Sequence, residues 1–265
     1  MTKKYPAIIP AGSQPGYVSE LAKLAGVTNK SLIPLNGKPI ISYTVEALDK
    51  AELIESITIV GLSEEDIKFE TTKPLEYVPS EGTNMDTIIT ASHHFEAKEN
   101  PPEYVLTVSS DIPFITSEIV DKNIKNIPWE LNKDGYIPVI FKEQMLDQFP
   151  EAHKRFRKFK EGTITIADFL AYKPKALLYP PTLSAITKIV DNRKTIIKML
   201  LKFTKFGTLK FLFGRFSLET DAIGFFRKAL QTEIEMVVST DGALAMDLDY
   251  PEDLEIFQRL LRSVN

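Results

Sequence analysis

The sequence predicts a three-layer α/β/α fold, built on a mainly parallel mixed sheet, with a helical elaboration in its second half. Two observations support this prediction. Short apolar segments rich in β-branched residues alternate with stretches of helical periodicity through the first half of the chain. After about Phe149 the chain becomes strongly basic, first at 153–160 and again at 193–215. We therefore predict a single domain over residues 1–265, in which residues 150–230 form a helical and basic elaboration.

The predicted elements follow from local composition. Apolar, β-rich segments separated by turn residues predict strands at 6–10, 56–61, 75–79, 103–108, 135–140 and 233–238. Helical periodicity predicts helices at 39–50, 84–97 and 116–127, and a last amphipathic helix that ends near Val264. Pro39 suits the first turn of its helix, and Thr116 or Ser117 suits an N-cap.

Composition excludes several function classes. The chain has 265 residues, a formal net charge of −4 and no cysteine. The charge argues against nucleic-acid binding, and the lack of cysteine excludes disulfides, thiolate zinc sites and cysteine nucleophiles. No apolar run is long enough to span a bilayer, and the first residues lack the apolar core of a signal peptide. We therefore expect a cytoplasmic protein.

The first strand leads into a loop that is suited to bind phosphate. Ala11, Gly12 and Ser13 follow the strand directly, and Lys30 returns after a short helical segment. Backbone N–H groups of such a loop can point at anionic oxygens, and a lysine folded back over the loop adds a positive charge. This arrangement predicts a nucleotide-binding site.

Two aspartates are candidates for a metal site. Asp111 follows the strand at 103–108, and ligands of open α/β sheets bind beyond the carboxyl ends of the strands. Asp249 precedes the last helix, whereas Glu252 and Asp253 suit the positive end of that helix. Mg²⁺ prefers a few carboxylates together with substrate phosphates. The alternative for Asp111 is that it only caps a turn.

The remaining motifs are less specific. Gly82 and Thr83 open a predicted helix after the third strand, where they could contact a base or ribose or serve as an ordinary N-cap. We find no P-loop, no GxGxxG fingerprint and no Ser-His-Asp or GxSxG arrangement. The three histidines form no metal-binding pattern, and we expect their side chains to be solvated.

Three motifs in order resemble one family. Ala11-Gly12 and Lys30 precede an Ile-Pro-Leu-Asn-Gly-Lys-Pro run at 33–39. An Asp-Ile-Pro motif begins at Asp111, and an Asp-Leu-Asp-Tyr-Pro-Glu-Asp-Leu motif at 247–254 contains Asp249. The chain thereby resembles the molybdenum cofactor guanylyltransferase-like (MobA-like) NTP transferases, which have a glycosyltransferase-A-like fold. The resemblance covers most of the chain.

The resemblance implies a reaction and a set of roles. The loop of Ala11, Gly12 and Ser13 would hold the triphosphate of an NTP together with Lys30. Asp111 and Asp249 would bind Mg²⁺, and Lys30 and Asp111 would be the catalytic residues. Gly82 and Thr83 would lie near the base. A phosphorylated or hydroxyl acceptor would attack the α-phosphorus and release pyrophosphate.

Two departures from the family pattern leave alternatives open. The first loop lacks the arginine that is common in the family, and Ile166 stands in a stretch, 165–168, where related sequences have a glycine-rich turn. These departures favour a non-catalytic nucleotide-binding descendant. A glycosyltransferase of the same fold that uses a nucleotide sugar is the other alternative.

The basic segment 193–215 has two interpretations. It contains seven basic residues and no acidic one, interspersed with Ile, Leu and Phe. The preferred interpretation is a packed helical cap with a solvated lysine face. The alternative is contact with a membrane surface or a phosphorylated acceptor.

Overall fold

A mixed nine-stranded sheet forms the centre of the protein. The computed structural model of the chain describes residues 3–191, 199, 202 and 207–264. The described residues form the strands β1 (Tyr5–Pro10), β2 (Pro34–Leu35), β3 (Lys38–Pro39), β4 (Ile54–Val60), β5 (Leu75–Val78), β6 (Val105–Val108), β7 (Gly135–Phe141), β8 (Arg157–Lys158), β9 (Thr163–Ile166), β10 (Phe169–Tyr172) and β11 (Ile234–Val238). Of these, β2 and β3 form a separate two-stranded hairpin, and the others form the central sheet.

Helices flank the sheet. Within the described residues they are α1 (Glu20–Leu24), α2 (Ile41–Lys50), α3 (Asn84–Glu96), α4 (Ser117–Lys125), α5 (Lys142–Gln148), α6 (Pro174–Leu177), α7 (Pro180–Asp191), α8 (Gly207–Leu212), α9 (Ile223–Ala229) and α10 (Asp253–Val264). In that part of the chain, none of these helices is both long and apolar enough to cross a bilayer.

The strand order in the sheet is β5-β4-β1-β6-β10-β7-β9-β8. Strand β11 lies off this path and pairs with β7. The strands β5, β4, β1 and β6 are parallel, as are β7 and β11, whereas β10 is antiparallel to both β6 and β7. Parallel strands are covered on both faces, which explains why β1 and β6 are continuously buried.

The two faces of β1 contribute to two different cores. Ala7 and Ile9 belong to the large core that includes α2, α4 and α10. Ile8 belongs to a second core with Phe95 of α3. Because side chains alternate along a strand, the single strand β1 joins both layers of helices. The predicted three-layer fold with a mainly parallel mixed sheet is confirmed.

The structure corrects the start of the helix that we predicted at 39–50. Pro39 is not in the first turn of a helix but pairs with Pro34 in the hairpin of β2 and β3. The cause is the Asn36-Gly37 turn, where both residues have positive φ angles of 49° and 90°. This is the backbone of a type I′ hairpin turn, for which Asn-Gly is the preferred sequence. Helix α2 begins only at Ile41.

The segment 150–230 is not only helical. It also contains β8, β9 and β10, and β10 lies inside the sheet between β6 and β7. At 165–168, where related sequences have a glycine-rich turn, Thr165 and Ile166 belong to β9, and Ile166 pairs with Val139. Of the helices expected within 193–215, the described part contains α8, whereas Arg193, Lys194, Lys198 and Lys205 lie outside the described residues.

Candidate active site

The loop after β1 is held by a close approach of two backbones. The N–H of Ala11 donates a hydrogen bond to the C=O of Val60 at 2.8 Å. A Cβ on Gly12 would lie 2.5 Å from Oγ1 of Thr87, on helix α3. A side chain at this position would therefore clash with α3, and glycine lets the loop pass close to that helix.

A second loop lies beside the first. Gly82 has a φ of 118°, which favours glycine, and its N–H donates to the C=O of Ser13 at 3.2 Å. Thr83 then caps α3 in a capping box with Asp86. Gly82 and Thr83, which we predicted to lie near the base, are thus adjacent to the loop that we predicted to hold phosphates. Thr83 is also an N-cap, which is the role that the alternative interpretation gave it.

Asn29 positions the lysine. Its buried amide donates to the C=O of Ala11 at 2.7 Å, while its Oδ1 accepts the N–H of Ser31 at 2.8 Å. These bonds fix a single 3₁₀ turn, Lys30–Leu32, against the first loop. Lys30 therefore folds back over the loop, and Asn29 is a site residue that the sequence did not identify.

Lys30 bridges the two predicted metal ligands. Its Nζ lies 2.5 Å from Oδ2 of Asp111 and 2.8 Å from Oδ1 of Asp249. Asp111 is oriented by Ser109, whose hydroxyl donates to Oδ1 at 2.6 Å. The N–H of Leu248 donates to the C=O of Asp111 at 3.0 Å. This backbone contact brings the segment of Asp249 to the end of β6.

A second charged cluster faces the same cleft. Lys154 forms ion pairs with Asp247, by a very short contact, and with Asp168 at 3.4 Å. The side chains of Lys154 and Asp247 are largely buried, with exposed fractions of 14% and 12%. We did not predict Lys154 or Asp168 as site residues. The only signal for Asp247 was its position two residues before Asp249, which places both on one side of an extended segment.

The position of Asp168 results from a break between β9 and β10. The register against β7 changes from Val139↔Ile166 to Tyr136↔Ala171. The N–H of Ala167 still donates to Pro138 of β7 at 2.9 Å, so the bulge begins at Asp168. The N–H of Asp168 donates to Leu244 at 2.7 Å instead of to β7, and its C=O accepts from Ser109 at 3.0 Å. The bulge directs Asp168 to the cleft.

Crowding of charges shifts two pKa values in the cleft. Burial lowers the pKa of Lys30, but the opposing effect of the Asp111 and Asp249 carboxylates is larger, so its pKa lies above the ordinary value. Burial raises the pKa of Asp168 to about 6. Lys154 opposes this rise, whereas the negative charges of Asp111 and Asp249 add to it.

The cleft that these residues enclose has a volume of about 480 Å³. All eight residues that we predicted from the sequence line it, namely Ala11, Gly12, Ser13, Lys30, Gly82, Thr83, Asp111 and Asp249. Other residues that line it include Gln14, Tyr17, Asn29, Ser31, Asn84, Ser109, Ser110, Asp168 and Asp247. The volume and the polar lining suit a small, highly charged ligand.

Asp111 and Asp249 are suited to hold a metal ion. One ammonium contacts an oxygen of each carboxylate, so a single cation can be shared by both. Across the described ranges, no three acidic or histidine side chains form a metal-binding group. Two carboxylates completed by substrate phosphates match the preference of Mg²⁺, and these residues therefore fit that ion.

Comparison with known proteins identifies the family. The model of the MobA-like NTP transferase domain matches residues 22–161. Bifunctional protein GlmU of Geobacillus thermodenitrificans (strain NG80-2) is 28% identical over 124 residues, which are 46% of this chain and 25% of that protein. The chain thus spans about a quarter of the length of this curated relative.

Two solved structures share the fold. A hypothetical transferase from Thermus thermophilus superimposes with a TM-score of 0.76 at 24% identity, covering 94% of this chain and 99% of that one. CMP:2-keto-3-deoxy-manno-octonic acid synthetase complexed with CTP has a TM-score of 0.58 at 11% identity, covering 99% and 100%. Because the family model covers more than half of the sequence, the predicted family is confirmed, and the chain belongs to the MobA-like NTP transferase family.

Proposed function

We propose that the protein transfers a nucleoside monophosphate from an NTP to a phosphorylated or hydroxyl acceptor in an Mg²⁺-dependent reaction that releases pyrophosphate. One observation carries the proposal. The ammonium of Lys30 lies between Asp111 and Asp249, beside the loop of Ala11, Gly12 and Ser13. A cation site shared by two carboxylates, next to a glycine-containing loop that lines the same cleft, suits a triphosphate with its metal ion.

Each residue has a proposed role. The loop of Ala11, Gly12 and Ser13 holds the triphosphate: Gly12 and Ser13 bind phosphate oxygens through their N–H groups, and Ala11, whose N–H donates to Val60, fixes the loop. Lys30 neutralises charge on the same phosphates. Gly82 and Thr83 lie near the base. An acceptor oxygen attacks the α-phosphorus, the bond from that phosphorus to the bridging oxygen of the β-phosphate breaks, and pyrophosphate leaves. The protein contributes positioning and charge neutralisation and needs no nucleophile of its own.

Asp111 and Asp249 would hold the Mg²⁺ ion. When bound, the ion neutralises charge that develops on the phosphate oxygens. Ser109 keeps Asp111 oriented through its hydrogen bond at 2.6 Å. The exposed fraction of the Asp249 side chain is 53%, against 13% for Asp111. Asp111 would therefore be the buried, and Asp249 the solvent-exposed, of the two ligands.

We further propose that residues 1–265 act as one domain in the cytoplasm, where nucleoside triphosphates are available. The segment 150–230 supplies Asp168, which lines the cleft, and Lys154, which pairs with Asp168 and Asp247. We expect this segment to differ most between proteins that use different acceptors. The two basic residues nearest the phosphates and acceptor would then be Lys30 and Lys154.

Pyrophosphate release tests the proposal. Each of ATP, GTP, CTP and UTP is incubated with the protein, Mg²⁺ and a panel of sugar phosphates, and pyrophosphate is measured. We expect release with one nucleotide that depends on both Mg²⁺ and an acceptor, and that is lost in Asp111→Ala and Asp249→Ala. Release of a nucleoside diphosphate from nucleotide sugars, without pyrophosphate from any NTP, would instead identify the glycosyltransferase alternative.

Binding without turnover identifies the second alternative. The loop Gly12 to Gly16 contains Ser13, Gln14 and Pro15 where relatives commonly have an arginine. A protein that is stabilised by an NTP yet releases no pyrophosphate with any acceptor in the panel would be a nucleotide-binding descendant. The aspartate variants would then change NTP binding but no reaction rate.

A further inference from the structure

An exposed apolar patch lies at the basic end of the molecule. We define it as Leu209, Leu212 and Phe213, whose exposed fractions are 52%, 73% and 72%. Residues spaced by three and four along a helix lie on one face, so these side chains are neighbours. Isolated exposed apolar residues are common in proteins, whereas adjacent ones of this size indicate an interaction surface.

The opposite side of the same segment is packed. Phe211 lies against Phe159 and Phe216, with ring centroids 6.1 and 5.9 Å away. Gly207 at the start of α8 is buried. The segment is therefore attached to the domain through one face, as in the preferred helical-cap interpretation, but its other face presents leucine and phenylalanine in addition to lysine.

Basic side chains surround the patch. Arg215 is exposed two residues after Phe213, and the side chain of Lys158 lies against Gly214, where a Cβ would be 2.7 Å from its Cδ. The acidic groups nearby are engaged: Asp221 pairs with Lys210 at 2.8 Å, and Glu161 accepts the hydroxyl of Ser217 at 2.5 Å. Glu219 is exposed.

The charge of this region is opposite to that of the whole chain. The whole chain carries a net charge of −4, whereas the described residues beside the patch include exposed Arg157, Lys158, Lys160 and Arg215. An apolar face bordered by lysine and arginine complements a surface that is anionic outside and apolar below. That combination describes a bilayer containing anionic lipids, such as the cytoplasmic leaflet.

We infer that the patch of Leu209, Leu212 and Phe213 docks the protein on the surface of an anionic bilayer. The apolar side chains insert at the boundary between headgroups and acyl chains, and Lys158 and Arg215 contact anionic headgroups. The contact is interfacial. It goes beyond the proposed nucleotidyl transfer, and it would place the active site close to acceptors carried by a membrane.

Sedimentation with vesicles tests the inference. The full chain is mixed with vesicles of phosphatidylcholine alone, or of equal parts phosphatidylcholine and phosphatidylglycerol, at low and high salt. We expect sedimentation with the anionic vesicles at low salt and a marked loss in 1 M salt, where the screening length falls to about 3 Å. Absence of sedimentation with anionic vesicles at low salt would overturn the inference.

Two pairs of variants separate the apolar and the charged contributions. Leu212→Ser/Phe213→Ser removes apolar area without a change of charge, and we expect at least about a tenfold loss of vesicle binding. Lys158→Gln/Arg215→Gln should also weaken binding and reduce its dependence on salt. The matched controls are Leu131→Ser and Lys68→Gln/Lys125→Gln, at exposed positions elsewhere, and these should bind as the unmodified protein does.

Further measurements identify the other possible occupants of the patch. Equal binding of the patch variants and their controls would contradict the inference. A concentration-dependent dimer that is detected by light scattering and dissociated by Leu212→Ser/Phe213→Ser would also contradict the inference. The patch would then be covered by a second copy of the chain. Thermal unfolding checks that the variants are folded, and pyrophosphate release on soluble acceptors, which should be unchanged, keeps this test separate from that of the proposed reaction.

Discussion

The ammonium of Lys30 contacts the carboxylate of Asp111 at 2.5 Å, although 81 residues separate them in the chain. The same ammonium reaches Asp249 at 2.8 Å, so three distant segments meet at one positive charge. The two carboxylates would repel each other without that charge. A bound metal ion can replace it, and Lys30 is then available to the phosphates of the nucleotide.

Replacement of Lys30 tests this exchange. The Lys30→Gln variant lacks the positive charge beside the phosphates, and we expect its rate of pyrophosphate release to fall by about 10²-fold or more. The matched control is Lys38→Gln, since Lys38 pairs with Glu46 at 2.6 Å and lies over the ring of Tyr43 outside the cleft. An equal loss of activity in both variants would contradict the role of Lys30.

Removal of the metal ligands should separate nucleotide binding from metal binding. With NTP at about 100 times its Kd, binding stabilises the native state by about 2.7 kcal/mol. We expect Mg²⁺ to increase the thermal stabilisation by NTP in the unmodified protein and to add nothing in Asp111→Asn or Asp249→Asn. Asp66→Asn, which alters an exposed turn at Ser63, should keep the full Mg²⁺ effect. A full Mg²⁺ effect in both ligand variants would exclude Asp111 and Asp249 as the metal site.

The site could be predicted from the sequence where strand ends determine it. Ala11 and Gly12 follow β1 directly, and Asp111 lies three residues beyond the end of β6, so the topology of an open parallel sheet places them together. Asp168 could not be predicted in this way. Its position depends on a register shift of β9 and β10 against β7, which arises from long-range pairing and leaves no local signal. Lys154 was not identified because it lies in a basic stretch that resembles a solvated surface.

The fold shows the same limit. The parallel strands were recognisable because they are rich in apolar and β-branched residues, whereas β8, with its exposed Arg157 and Lys158, has no strand-like pattern. Pro39 was misplaced because proline suits both the first turn of a helix and the edge of a hairpin. The Asn36-Gly37 turn decided between the two.

A methyl group at Gly12 should disturb the first loop. In Gly12→Ala the new Cβ would lie 2.5 Å from Oγ1 of Thr87, and overpacking of this kind costs about 1–3 kcal/mol. We expect a lower free energy of unfolding in urea and weaker NTP binding. Gly12→Ala/Thr87→Ala should recover part of both, whereas Gly12→Ala/Thr87→Val, which keeps the crowding, should not. Failure of the alanine rescue would locate the strain elsewhere in the loop.

Asp253 should contribute to stability as a buried cap. Its carboxylate accepts the N–H of Tyr250 at 3.2 Å and a hydrogen bond from Nδ1 of His153 at 2.7 Å, and its side chain is 4% exposed. Loss of such a cap costs about 0.5–2 kcal/mol, so Asp253→Ala should lower the urea midpoint. The neighbouring exposed Glu252 provides the control, since Glu252→Ala removes an acidic residue at the same helix start without that cap. Equal effects would assign the stabilisation to the helix dipole alone.

Asp168 should make stability decrease as the pH rises. Its pKa is raised from 3.8 to about 6 in the native state, so between these values the native protein binds more protons than the unfolded chain. Stability therefore falls as the pH increases through this window, and the penalty is complete above about pH 6. Removal of the charge in Asp168→Asn should raise the free energy of unfolding at pH 8, in metal-free buffer, relative to the unmodified protein.

The difference should shrink as the pH is lowered towards 4, because Asp168 is then protonated in the native state. The carboxylate is about a third exposed, with a fraction of 35%, so solvent screening keeps the gain below the full value of a shift of this size. Asp86 provides a contrast of opposite sign. Its hydrogen bonds from Thr83 lower its pKa, so its stabilisation is present above the unfolded pKa and is lost as the pH falls. Asp86→Asn should accordingly destabilise the protein at pH 8, and more than at pH 4. If Asp168→Asn is no more stable than the unmodified protein at pH 8, the prediction is wrong. The ion pair with Lys154 would then fully compensate the cost of the charged Asp168 carboxylate.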